Sequence, residues 1–137
     1  MVSGFDEFRK ELRRRFPSTG AGSEPLAFAR AMIEHAQEYR PLVRVLIGKR
    51  SGQVVQNRFR KLIVELVQED LAGFAPAGPP RDAMVHYIAG AFLELLAWWL
   101  DTRTLLDASE LEELFHRFTK PILHRWVPGT RNGTKIR

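Results

Sequence analysis

Residues 84–101, "MVHYIAGAFLELLAWWLD", decide how the rest of the chain is read. Turn-forming clusters are absent, and at about 100° per residue the stretch reads as a helix. On that helix His86, Gly90, Glu94, Ala97 and Asp101 fall on one narrow stripe at spacings of 4, 4, 3 and 4, and every other position from Met84 to Leu100 is apolar. A helix resting on its own domain needs an apolar arc a little over 100° wide; this one has roughly twice that. Three readings fit. A transmembrane span is near its lower length limit here, and Glu94 and His86 are costly in lipid. A fully enclosed central helix is the second. The third places one face on the chain's own core and another on a second copy, since two-fold self-association is the commonest way for a soluble protein to cover a surplus apolar face. That third reading is the expectation carried forward. The last helix would complete a four-helix interface, two helices from each chain. Gly90 and Ala97 on the polar stripe fit either a close backbone approach or simple tolerance of small residues.

The composition sets bounds around this helix. With 137 residues, 45% of them hydrophobic, the chain is one domain with one real core. It has no cysteine, which excludes a disulfide framework and a cysteine-ligated zinc site and fits a reducing cytoplasm, the expected location. "MVSGFDEFRKELRRRF" (1–16) carries charges where a secretory signal has its apolar region. The net charge of +5 suits an acidic partner or nucleic acid, but at this size it serves solubility equally well.

Outward from residues 84–101, helical spacing recurs. Phe5, Phe8, Leu12 and Phe16 predict a first helix over about 5–15. "PSTGAGSEP" (17–25) is a loop. The next helix runs from about Pro25 to about Tyr39, with Leu26, Ala29, Ile33 and Ala36 on one face and Phe28, Met32 and His35 on a neighbouring one. "PLVRVLIG" (41–48) predicts a short helix and "KRSG" (49–52) a connector. From about Gln53 to Phe74, Val55, Phe59, Leu62, Ile63, Leu66 and Val67 form one apolar face, and Gly73 with "PAGPP" (76–80) stops it. The decisive helix then occupies about 81–102. In "DASELEELFHRF" (107–118), Asp107 with Glu110 makes a capping box, and Leu111, Leu114, Phe115, Phe118 and Ile122 form the stripe. Pro121 kinks that helix or ends its regular part. "PGTRNGTKIR" (128–137) reads as a mobile tail. Strand alternation and internal repeats are missing. The expected fold is all-α, an irregular bundle of about six helices.

The ordered combination of "AQEYRPLVRVLIGKRSGQVVQNRFRKLIVELVQEDLA" (36–72), "HYIAGAFLELLAWWLD" (86–101) and "DASELEELFHRF" (107–118) resembles the C-terminal domain of TetR-type transcriptional regulators, over roughly residues 25–120. The resemblance implies a homodimer through the last two helices and a small-molecule effector pocket. It also implies an N-terminal helix-turn-helix domain that grips an operator with a recognition helix in the major groove. That domain is absent from this sequence, and "GFDEFRKELRRRFP" (4–17) looks like the helix that leads out of it. The chain is then either a piece of a longer regulator or a headless one, and DNA is a partner only through the absent domain.

Transferred onto this sequence, the implied pocket nominates Phe28, Met32, His35, Phe59, Ile63, Leu66, Tyr87 and Ala91 as lining, with His35 and Tyr87 as the polar tips. The same side chains would equally serve as plain core. The ligand expected is apolar or amphipathic. The dimer interface is expected from Phe92, Leu96, Trp98, Trp99, Leu111, Leu114, Phe115 and Phe118. Asp70 either orients a cationic ligand or is solvated near its helix end. "RKELRRR" (9–15) either touches DNA phosphates or is a solvated face with Glu7 and Glu11 in reach of basic partners, the second being favoured.

Catalysis finds little support. The histidines at 35, 86, 116 and 124 form neither a His-x-x-x-His nor a His-Glu-x-x-His pattern. "GKRSG" (48–52) lacks the Walker spacing, and no Gly-x-Ser-x-Gly elbow occurs. The expectation is a non-enzymatic effector-binding and dimerisation domain without cofactor or metal and with no membrane partner. A ligandless interaction module that sequesters partners in mixed dimers is the alternative.

Overall fold

The computed structural model describes residues 4–15, 26–41, 43, 53–102 and 105–126. They form five helices: α1 (Gly4–Arg15), α2 (Phe28–Glu38), α3 (Gln53–Leu71), α4 (Pro79–Asp101) and α5 (Ala108–Trp126). Among the described residues there is no strand, as the all-α reading expects. The predicted short helix over 41–48 falls largely outside the described residues; within it, Pro41 and Val43 are helical. The predicted tail over 128–137 and the loop over 17–25 also fall outside them, as do the side chains of Phe5, Phe8 and Val55.

Boundaries shift where local chemistry outweighs periodicity. "PAGPP" does stop one helix, but its last two prolines also begin the next, occupying the first turn of α4 behind Gly78 at φ 142°. Proline is suited to that position because its missing N–H has no intrahelical partner there. Pro121 does not end α5, which continues through it to Trp126. The capping box forms: the Glu110 N–H donates to Asp107 Oδ1 at 2.8 Å, and the Asp107 N–H donates to Glu110 Oε1 at 2.9 Å.

Helix α4 packs on α3, α2 packs on α5, and α1 rests on α3 and α2. One apolar core joins them. Phe92 stands at its centre, with edge-on rings from α2 (Phe28, 5.8 Å) and α5 (Phe115, 5.1 Å). Burying such a side chain contributes about 1.5–3 kcal/mol. By length and composition alone α4 could cross a membrane, with a mean hydropathy of 1.4 over its most apolar window, but half of that window is buried inside the protein. The core therefore accounts for much of its apolarity.

Candidate functional site

The surplus apolar arc of α4 is divided by the fold. Met84, Val85, Ile88, Ala89, Phe92, Leu93, Leu96, Trp99 and Leu100 are buried. Tyr87 and Trp98 remain 65% and 42% exposed, with Ala91 exposed and Leu95 half-buried beside them. Their spacing of 4, 4 and 3 sets these four on one stripe along the helix. On α5, buried Leu111, Phe115 and Thr119 separate two flanks. One carries Glu112 and His116 and meets α2, where Arg30 lies 3.7 Å from Glu112. The other carries Leu114 and Ile122, both half-buried, and Phe118, which is 57% exposed. It therefore turns away from α2.

The residues expected at the dimer interface differ widely in exposure. Phe92, Leu96, Trp99, Leu111 and Phe115 are each at most 2% exposed within the single chain, which leaves almost none of their surface open. Trp98, Phe118 and Leu114 keep theirs. Tyr87 and Ala91 are also exposed, and Leu95 and Ile122 are half-buried. The 87–91–95–98 spacing carried that signal, but the sequence could not say which part of a nearly all-apolar helix its own neighbours would cover.

The expected lining is divided in the same way. Phe28, Met32, Phe59, Ile63 and Leu66 are all buried in the common core. His35 is half-buried on α2, its ring 4.7 Å from that of Tyr39. Desolvation holds the imidazole below its ordinary value of 6.5, with the charge of Glu38 acting in the opposite sense. Tyr87 and Ala91 are exposed on α4 and do not join this group. The polar stripe of α4 faces α3 instead: Gly90, Glu94 and Ala97 line a groove of about 180 Å³ with Gln53, Asn57 and Arg60. A Cβ on Gly90 would meet nothing within 4 Å, so no close backbone approach within the chain depends on this glycine. A larger open groove of about 690 Å³ between α2 and α5 is lined mostly by charged side chains, Arg30, Glu112, Arg117 and Lys120 among them. In it, His116 Nε2 lies 3.2 Å from Glu112 Oε2 without hydrogen-bond geometry, an ion pair only when the ring is protonated.

Asp70 fits neither of its sequence readings. It is 1% exposed, accepts the backbone N–H of Leu26 at 3.1 Å, and meets Arg13 Nη2 at 3.1 Å. Leu26 is buried at φ 62°, a left-handed conformation that costs a leucine of order 1 kcal/mol or more and needs such a fixed partner. The basic run on α1 is likewise a docking element. Arg13 also binds Glu69 Oε1 at 2.9 Å and the Leu66 carbonyl at 3.0 Å, and Arg9 pairs with Glu69. Arg14, paired with Glu11 three residues earlier, and Lys10 are exposed and behave as the expected solvated face.

With this arrangement in view, the comparison with known families is specific. Residues 23–121 match the TetR-type family described as the transcriptional regulator C-terminal region. The chain belongs to that family, and the matched span runs from just before α2 to Pro121 within α5. Neither a curated protein nor a solved structure matches the chain.

Proposed function

We propose that this chain is the effector-sensing and dimerisation region of a TetR-type regulator, acting in the cytoplasm without catalysing a reaction. A homodimer forms through the exposed stripes of α4 and α5. A small apolar or amphipathic effector enters the α2–α3–α4 core beside His35. DNA is contacted by a helix-turn-helix domain outside this sequence, and the effector acts by favouring one arrangement of the dimer over another.

The observation carrying this reading is the apolar surface left once the core is complete: Tyr87, Ala91, Leu95 and Trp98 on one helix, Leu114, Phe118 and Ile122 on the next. Contiguous apolar stripes on consecutive helices mark an association surface, and a second copy is the simplest occupant. One observation favours the ligandless alternative. Phe28, Ile63 and Leu66 are completely buried and Met32 nearly so, which leaves the effector a core that must open to receive it.

Sedimentation velocity tests the dimer. The wild-type chain should sediment at twice its own mass, and Trp98→Glu with Phe118→Glu should give a folded monomer. An unchanged dimer in that double variant removes the assigned face. A thermal-shift screen with hydrophobic small molecules separates the two readings, since a permanently filled core responds to none of them.

A further inference from the structure

An α-helix leaves its last four carbonyls without intrahelical donors. At the end of α4 three of these, on Trp98, Trp99 and Leu100, are satisfied by Thr102 and Arg40. Thr102 donates its backbone N–H at 3.0 Å and its hydroxyl at 2.8 Å to the Trp98 carbonyl. Arg40 comes from immediately beyond α2 and donates Nη2 to the carbonyls of Trp99 at 2.9 Å and Leu100 at 3.3 Å. Its guanidinium carbon also sits 5.3 Å from the centre of the Trp99 ring. A cation is favoured at a helix C-terminus and over an indole face, and one guanidinium does both here.

The Trp99 ring extends the linkage. Its Nε1–H donates to the Leu106 carbonyl at 2.9 Å, one residue before the capping box that begins α5. Arg40, Trp99 and Leu106 thus tie the end of α2, the end of α4 and the start of α5 into one corner. The two apolar stripes diverge from that corner: Trp98 is the neighbour of Trp99 in α4, and Phe118 lies further along α5. A self-complementary interface requires both stripes in one fixed relation, because every misplacement is repeated by the two-fold axis.

From this geometry we infer that Arg40 is a positioning residue for dimerisation, setting the relation of the α4 and α5 stripes through Trp99 without itself touching the partner. This rests on the dimer proposed above. The test is the dimer dissociation constant of the full chain by sedimentation equilibrium, with far-UV circular dichroism at the same temperature to establish that each variant is folded. Arg40→Ala should weaken the dimer about tenfold or more while helicity is kept. Arg40→Lys retains a cation at the carbonyls but loses the planar stack, and should restore part of the affinity. Trp99→Phe keeps the ring in the core, removes the bond to Leu106, and should weaken the dimer several-fold. Arg117→Ala, an exposed α5 residue paired with Glu113, should leave the constant unchanged. If Arg40→Ala does not fold, Arg40→Lys and Trp99→Phe decide. Folded variants with wild-type affinity overturn the inference and leave the dimer standing, as does an equal loss in Arg117→Ala. A wild-type chain that stays monomeric overturns both.

Discussion

The α1–α3 seam and the corner where α2, α4 and α5 meet join their helices by opposite means. At the seam, two arginines of α1 meet Glu65, Glu69 and the buried Asp70 of α3, and α1 adds Leu12 to the core. At the corner, edge-on rings and satisfied carbonyls do the joining, with Arg40 as the cation that caps them. Apolar packing tolerates neighbours of many shapes, whereas an ion pair taken out of water holds only when each charge meets its partner. The corner should therefore carry most of the stability and the seam most of the specificity in how α1 is seated.

Substitutions on the two sides measure that difference. Phe115→Ala empties the ring site against Phe92 and should lower stability by about 3–5 kcal/mol in urea unfolding at fixed protein concentration. Arg13→Ala leaves Asp70 buried without its arginine. It should cost about 3 kcal/mol, the low end for breaking a buried pair because Arg13 keeps some solvent contact. Arg9→Ala, at the half-exposed edge of the same seam, should cost less than about 1 kcal/mol. Equal losses for Arg9→Ala and Arg13→Ala would mean that the seam is an ordinary surface ion network and that Asp70 is not its anchor.

The same contrast explains what could be read from the chain. Apolar surplus is periodic, so residues 84–101 announced a two-faced helix, and the all-α fold followed from the spacing of one-letter patterns. The division of that surplus did not follow. Trp98 and Trp99 are adjacent and chemically identical, yet one is 42% exposed and the other 2%. Only the positions of α2 and α5 distinguish them. The seam was illegible for another reason: Arg13 and Asp70 are 57 positions apart, and nothing local to either marks a partner that the third dimension supplies. Arg40 was missed likewise, because a C-terminal cap donated from another helix leaves no motif at the helix it caps.

The smallest expected effect concerns His35, the one polar side chain that remains among the lining candidates. Burial holds its folded-state pKa below 6.5, against the opposing charge of Glu38, so the fold favours the neutral ring. Between the folded value and 6.5 the unfolded chain binds more protons, and stability rises with pH where that is so. The contribution of His35 is therefore complete above 6.5 and is lost as pH falls through the folded-state value. Because the ring is half-exposed, solvent screening keeps the effect small. Urea midpoints at about pH 5 and about pH 8 should lie further apart for the wild-type chain than for His35→Gln, whose side chain does not titrate. Identical separations would mean that the imidazole is fully hydrated. An effector entering the proposed site would then have to be recognised by shape and apolar contact alone.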